Sequence, residues 1–209
     1  MPSPLLASSS SLLEHINHQA FLAINAGPDT PNWLLGFARL IATVPLFLLP
    51  PMLLGLWCWG DRAKRGVLLR ALSVTLIALL MGFLIGAIWP HPRPFAIGLG
   101  HAWLQHADNA SFPSDHLTIF ASLALSLLFD DAYLLGATLA LVGLAVGYAR
   151  VYLGIHFPLD MLGALAVSAV SNSLVWVLWQ RHGTPITQLA EGVYRRCLAP
   201  AIARGWVRD

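Results

Sequence analysis

Residues 71–89 read ALSVTLIALLMGFLIGAIW, from Ala71 to Trp89, without one charged side chain. A helix that crosses a bilayer core needs roughly 20 mostly apolar residues, and this stretch has that length. Others join it. Leu40–Trp59 is equally free of charge, Ala132–Ala149 is slightly shorter, and Met161–Trp179 supplies another span. A shorter run, Leu117–Phe129, lies between Asp115 and Asp130. In this company it reads as a further span that extends into the polar residues before it. No strand alternation and no internal repeat is visible. A lipid-exposed span must satisfy its own backbone hydrogen bonds, so the fold class is all-α. The expectation is a multi-span membrane helical bundle of about five spans, with residues 1–209 forming a single membrane-embedded domain.

Composition agrees. Of 209 residues, 57% are hydrophobic and 11% charged, whereas a soluble domain carries about 25% charged residues. That deficit argues against a soluble globular enzyme, and the hydrophobicity excludes disorder. The net charge is +2, from 12 Lys+Arg against 10 Asp+Glu, so no nucleic-acid partner is implied. Cys58 and Cys197 are too few for a disulfide scaffold.

Lys and Arg set the orientation. The segment Gly60–Arg70 holds Arg62, Lys64, Arg65 and Arg70, and the tail after Trp179 holds Arg181, Arg195, Arg196, Arg204 and Arg208. The positive-inside rule places both on the cytoplasmic side, and five spans put them on the same side. The loops 90–114 and 150–160 then face outward, and the Asp130–Asp131 turn faces inward. At the N-terminus, Ser11 followed by Glu14 reads as a capping box. Leu13, Ile16, Ala20, Phe21 and Ile24 then recur at helical spacing until Gly27-Pro28. This predicts an amphipathic helix on the outer surface. Thr184-Pro185 starts a second, carrying Ile186, Leu189 and Val193. Packing against the bundle is the alternative for both.

On this topology the unusual polar residues gather at one end: Arg93 after the second span, Ser114 and His116 at the third, Arg150 closing the fourth, and His156 and Asp160 opening the fifth. Ionisable residues at membrane depth are costly and generally functional. Two Arg and two His without Lys suit an oxyanion, because guanidinium binds phosphate bidentately. Phe157-Pro158 marks a helix start, which sets Asp160 in the first turn, one turn from His156. A carboxylate there can accept from one imidazole nitrogen and leave the other as nucleophile or base. Ser114 suits the N-cap of the third span, whose N–H groups face an anion. These parts fit phosphoryl transfer through a phosphohistidine. Polar residues clustered at one end, with only Asn172 and Ser173 deeper, disfavour a small membrane transporter. His101, His106 and Asp108 in the outer loop are expected to face water.

Three segments resemble the signature of the type 2 phosphatidic acid phosphatase superfamily. Arg93-Pro94 matches the end of its first motif, Pro113-Ser114-Asp115-His116 its second, and Arg150, His156 and Asp160 its third. The motif core covers residues 86–160. The wording "HPRPF", "SFPSDH" and "ARVYLGIHFPLD" is similar to the bacterial undecaprenyl diphosphate phosphatases of the bacitracin-resistance type. Three departures fit that branch better than a phosphatidate phosphatase: Gly86 stands where the broad family has Lys, Ala149 where it has Ser, and Asp115 where it has Gly.

The resemblance implies that undecaprenyl diphosphate is hydrolysed to its monophosphate and phosphate, recycling the lipid carrier for cell-wall synthesis. It places the enzyme in the bacterial inner membrane with its site toward the periplasm. His156 is then the nucleophile, His116 the acid on the leaving oxygen and Asp160 the orienting carboxylate. Arg93, Ser114 and Arg150 hold the phosphate. No cofactor and no metal is implied, and the partners are a polyprenyl diphosphate and membrane lipids. Phosphatidylglycerol phosphate or phosphatidate hydrolysis, or phosphate transfer to lipid A, are the alternatives within the superfamily. Arg39 lies at the outer boundary of the first span, on the side that disfavours Arg, and is a candidate for the cation absent at Gly86.

Overall fold

A computed structural model describes residues 4–209, with side chains described from residue 12. Six helices form it: α1 (Pro4–Ile24), α2 (Asn32–Trp59), α3 (Arg62–Ile88), α4 (Asp115–Phe129), α5 (Tyr133–Tyr152) and α6 (Pro158–Ala203). A 3-10 turn, Pro94–Ile97, follows α3. Four of the helices, α2, α3, α5 and α6, are long and apolar enough to cross a membrane, and α4 is a shorter apolar helix. Helices α2 to α6 alternate in direction. One end of the bundle gathers the α2–α3 and α4–α5 turns, and the other gathers the long loops before α4 and α6.

Its surface inverts that of a water-soluble domain. Phe47, Leu54, Leu76, Phe83, Leu134 and Leu141 are exposed, while Arg65, Arg70, Arg93, Arg150, Asp160 and Glu191 are buried. Contiguous apolar exposure on this scale needs lipid, not water, as its solvent. Inside, α4 is the hub. Phe120, Leu123 and Leu127 pack with Leu139 and Val146 of α5 and Ala71 of α3. Without water to exclude, such packing relies on close approach. Gly143 provides it, because a Cβ there would stand 2.6 Å from Phe120 Cβ.

The described helices extend the expected spans. Gly60–Arg70 is not a loop: only Gly60 and Asp61 separate α2 from α3. Asp61 caps α3 by accepting from the Lys64 N–H at 2.9 Å. Arg65 and Arg70 therefore start a helix and are buried against partners. Arg65 lies over Tyr194, 4.4 Å from the ring centroid, and Arg70 lies over Trp176 at 4.6 Å. Arg70 also meets Asp130 at 2.9 Å.

The tail corrects the expectation of a separate second amphipathic helix. α6 continues through Pro185, and of its 46 residues only the last few lie beyond a kink at Leu198, where the backbone leaves helical geometry. Its buried face is Gly183, Thr187, Glu191 and Tyr194, while Ile186, Leu189 and Val193 are exposed. Glu191 holds α6 to the start of α3 through Arg62 at 3.6 Å and Arg65 at 3.9 Å. Packing along α3 thus compensates for the hydrogen bond that Pro185 removes.

α1 also differs from its reading. It begins before Ser11, so Ser11 is inside the helix and is no N-cap; its side chain lies outside the described residues. Glu14 meets His91 at 3.0 Å and His18 at 3.6 Å. Of the expected stripe, Phe21 is buried against Phe157, while Leu13 and Ile16 are exposed. Nor are the polar residues confined to one end. Thr118, Ser122 and Ser126 of α4 and Ser168 and Ser171 of α6 are buried along the bundle. Ser122 Oγ donates to Ser168 Oγ at 3.0 Å, and Ser168 Oγ to the Thr118 carbonyl at 3.2 Å. Small hydroxyl residues within a bundle serve close packing, and here Thr118 Oγ1 and Ser126 Oγ have no hydrogen-bond partner among the described residues.

The ion pair at the end of the bundle with the α2–α3 and α4–α5 turns gives a stability test. Asp130→Ala leaves Arg70 buried without its carboxylate. The expected loss lies near the low end of about 3–5 kcal/mol, because Asp130 is 19% exposed. Arg70→Met added to Asp130→Ala should recover part of it. Thermal unfolding in detergent reads both; equal stability of the single variant and the wild type removes the ion pair from the fold's support.

Candidate active site

The segment that ends α5 and starts α6 builds the centre. Arg150 closes α5, Gly154 turns the chain, and His156 arrives just before the α6 N-cap, Phe157. Gly154 has φ +82, and a Cβ there would fall 2.0 Å from the His101 carbonyl oxygen, so the turn needs glycine. Pro158 occupies the first helical position, as the sequence predicts. Asp160 reaches back from the first turn and accepts from the Phe157 N–H at 2.8 Å and from His156 Nδ1 at 3.0 Å.

That second hydrogen bond fixes the tautomer. With its proton on Nδ1 toward the carboxylate, His156 keeps a lone pair on Nε2. Arg93 Nη1 donates to Nε2 at 3.2 Å and to the Ile155 carbonyl at 2.8 Å. Arg93 is held from behind by Asn109, whose Oδ1 accepts from Nε at 3.0 Å and Nη2 at 2.9 Å.

Ser114 sits at the N-cap of α4, yet its side chain caps nothing. Its own N–H donates to the Asp160 carbonyl at 3.2 Å, which ties the starts of α4 and α6 together. Among the described residues Ser114 Oγ is buried without a hydrogen-bond partner, as are Arg150 Nε and Asp160 Oδ1. Arg150 Nη1 donates to the Ala42 carbonyl at 3.3 Å. His116 stands in the first turn of α4, two residues after its N-cap Ser114. The six residues named from the sequence, Arg93, Ser114, His116, Arg150, His156 and Asp160, thus converge. Buried groups that lack partners are costly unless a ligand supplies them. Here the orphans include a hydroxyl and a guanidinium nitrogen, which suit an anion's oxygens.

Arg39 stands apart from this core. Its Nε donates to the Trp103 carbonyl at 2.8 Å, and it lines an open cleft of about 680 Å³ with Phe95, Trp103, Leu104 and His106. His106 corrects the expectation that it faces water. It is half-buried, with its ring centroid 6.3 Å from that of His156, and burial lowers its pKa against the pull of the Ala107 carbonyl. His101 and Asp108 are exposed, as expected.

Three polar residues of the centre escape sequence reasoning. Ser111 Oγ donates a short hydrogen bond to Asp160 Oδ2 and lies 3.4 Å from His156 Nδ1. Its signal was its place within "SFPSDH". Asn109 had no periodic signal. Asn17 of α1 accepts from the Leu159 N–H at 3.0 Å, so a remote helix caps the first turn of α6. Among the described residues no group of three or more His, Cys, Asp or Glu is placed to hold a metal ion.

The family model described as PAP2 superfamily matches residues 67–184. The chain is 35% identical to YbjG of Escherichia coli (strain K12), over 95% of this chain and 100% of that protein. YbjG carries the provisional name of an undecaprenyl-diphosphatase. Undecaprenyl-diphosphatase BcrC of Bacillus subtilis (strain 168) is 30% identical over 76% of this chain and 82% of its own. A solved transmembrane PAP2 type phosphatidylglycerolphosphate phosphatase from Bacillus subtilis superposes with a TM-score of 0.59 at 22% identity, covering 86% of this chain and 88% of that one. That likeness is one of fold. With the four long apolar helices, it makes this chain a multi-span membrane protein.

The buried imidazole generates a pH prediction. Burial lowers the His156 pKa from 6.5 to about 4, against the hydrogen bond and charge of Asp160. Between these values the folded protein binds fewer protons than the unfolded chain, so stability falls with falling pH. This contribution is intact above about 6.5 and lost progressively toward about 4. Melting temperatures between these limits should fall less steeply for His156→Gln than for the wild type; parallel slopes contradict a neutral His156.

Proposed function

This chain belongs to the PAP2 superfamily, and on that premise we propose that it hydrolyses undecaprenyl diphosphate to undecaprenyl phosphate and inorganic phosphate. Two relatives bear that activity in their names. The observation that carries the reading is the His156 imidazole, with Nδ1 on Asp160 and Nε2 beside the Arg93 guanidinium.

In the proposed cycle Nε2 attacks the terminal phosphorus in line. The N–P bond forms as the bond to the bridging oxygen breaks, and His116 gives that oxygen its proton. Undecaprenyl phosphate leaves. Water then attacks the phosphohistidine, His116 takes a water proton, the N–P bond breaks and phosphate departs. Arg93, Arg150, Ser114 Oγ and the free N–H groups of α4 neutralise the equatorial oxygens, so positioning and electrostatics carry most of the rate. Asp160 stabilises the charge that develops on the imidazole. Arg39, in the adjoining cleft, meets the further charge of the diphosphate in place of the cation absent at Gly86.

In the same reading α2 to α6 are five spans of a bacterial inner membrane. Nine of the 12 Lys+Arg lie in the two basic segments, and these occupy the end opposite the site. The site then faces the periplasm.

Phosphate release from purified protein, given diphosphate and monophosphate lipids with chelator present, tests the reaction. Turnover of undecaprenyl diphosphate in preference to phosphatidate and phosphatidylglycerol phosphate is expected. Preference for a monophosphate lipid overturns the substrate. His156→Ala should lose about 10⁴-fold or more in kcat while folding normally, and Asp160→Asn should lose less, because the imidazole itself remains. Substantial turnover by His156→Ala removes the nucleophile assignment. For orientation, Ala102→Cys, on the exposed loop beside the cleft, should react with an impermeant thiol reagent in whole cells whose outer membrane is permeable. Labelling only after inner-membrane lysis inverts the topology.

A further inference from the structure

A second cavity adjoins the site on the lipid side. Across a groove of about 400 Å³, Leu79, Phe83 and Ala87 of α3 face Phe112, with Asn109 and Asp115 among the polar groups that line it. We propose, resting on the polyprenyl diphosphate reading above, that this groove receives the first isoprenoid units of the substrate and selects a single-chain polyprenyl lipid.

The groove is continuous with the phosphate site. Asn109 lines it and also holds Arg93 through Oδ1. Asp115 lines it and directly follows Ser114, the N-cap of α4. The groove also opens on lipid-facing surface, since Phe83 is 71% exposed and Leu80, beside it on α3, is 57% exposed. A chain lying in the bilayer can therefore follow its headgroup to the site without apolar carbon crossing water.

Two glycines set its floor. A Cβ at Gly86 would stand 3.1 Å from Ala110 Cβ, and one at Gly82 would stand 3.2 Å from Pro113 Cγ. A side chain at either position would press on the segment that links Asn109 to Ser114. The bare face of α3 thus allows the chain site and the phosphate site to share one wall. A groove of about 400 Å³ suits the start of one chain, whereas a diacyl lipid brings two. The volume lies within the range of about 300–1,000 Å³ typical of small-molecule sites.

Another apolar groove, of about 300 Å³, lies between α2 and α5 and is lined by Phe37, Ile41 and Tyr148. It borders the packed cluster of Leu35, Leu153, Trp103 and Leu104, and Ala149 in its wall precedes Arg150. None of its lining residues bonds Arg93, as Asn109 of the first groove does, so it is the weaker host for a chain whose head is on His156.

Ala87→Trp tests the proposal, because Ala87 is exposed on the groove and a large ring there obstructs it without opening the core. The kcat/KM for undecaprenyl diphosphate should fall about tenfold or more, while that for inorganic pyrophosphate, which has no chain to seat, stays within about twofold. Leu141→Trp, at a lipid-exposed position on α5, should leave both unchanged. Equal losses on both substrates, or no loss on either, overturn the groove. A photoreactive phenylalanine at position 83 supplies a readout independent of turnover. It should cross-link a long-chain polyprenyl diphosphate, and one at Phe37 in the other groove should not. Cross-linking at 37 alone overturns the assignment. Cross-linking at 83 by a protein that hydrolyses no diphosphate strikes the proposed reaction and leaves the groove standing.

Discussion

The carboxylate of Asp160 is fully buried, and the site end of the bundle is arranged around it. A charge removed from water must be met by donors, or it costs several kcal/mol. Here Ser111 Oγ, His156 Nδ1 and the Phe157 N–H meet it, and the Asp160 carbonyl takes the Ser114 N–H. Those four groups belong to the loop before α4, the turn before α6, the α6 N-cap and the α4 N-cap. One residue therefore orients the imidazole through its carboxylate and, through its backbone carbonyl, ties the start of α4 to the start of α6. α1 completes the arrangement from outside, since Asn17 caps the same turn and His18 stacks on Phe157, with ring centroids 5.2 Å apart.

The rest of the bundle follows from its solvent. In lipid the apolar side chains have no reason to turn inward, and charges have every reason to do so. Buried cations consequently gather at the two ends. At the end of the α2–α3 turn Arg65 and Arg70 are absorbed by Tyr194, Trp176, Glu191 and Asp130, which serve anchorage. At the opposite end Arg93 donates to carbonyls, to Asn109 and to His156, and Arg150 Nε has no partner among the described residues. The same residue type is thus neutralised at one end and left with an unpaired donor at the other.

Much of this was legible in the chain because apolar length and motif spacing are local quantities. The run 71–89 announced a membrane helix, and Phe157-Pro158 announced the start of α6 with Asp160 one turn from His156. Arg93, Ser114, His116 and Arg150 were identifiable because costly residues stand at helix ends. Helix boundaries were less legible. Gly60–Arg70 read as a loop because its charges break the apolar run, although Asp61 caps α3 and aromatic rings bury Arg65 and Arg70.

By itself the sequence determined the solvent, the helices and the set of polar residues available for chemistry, since composition and periodicity suffice for these. Only the tertiary structure decided which partners each polar group has. Ser111 and Asn109 entered the centre because the loop folds back on Arg93 and Asp160, and Asn17 because α1 docks on α6. His106 left the water-facing loop for the neighbourhood of His156. Pro185 failed to end α6 because Thr187, Glu191 and Tyr194 pack along α3. Each of these depends on contacts between residues far apart in the chain, and no local pattern of spacing or hydropathy encodes which distant donor a buried acceptor will meet.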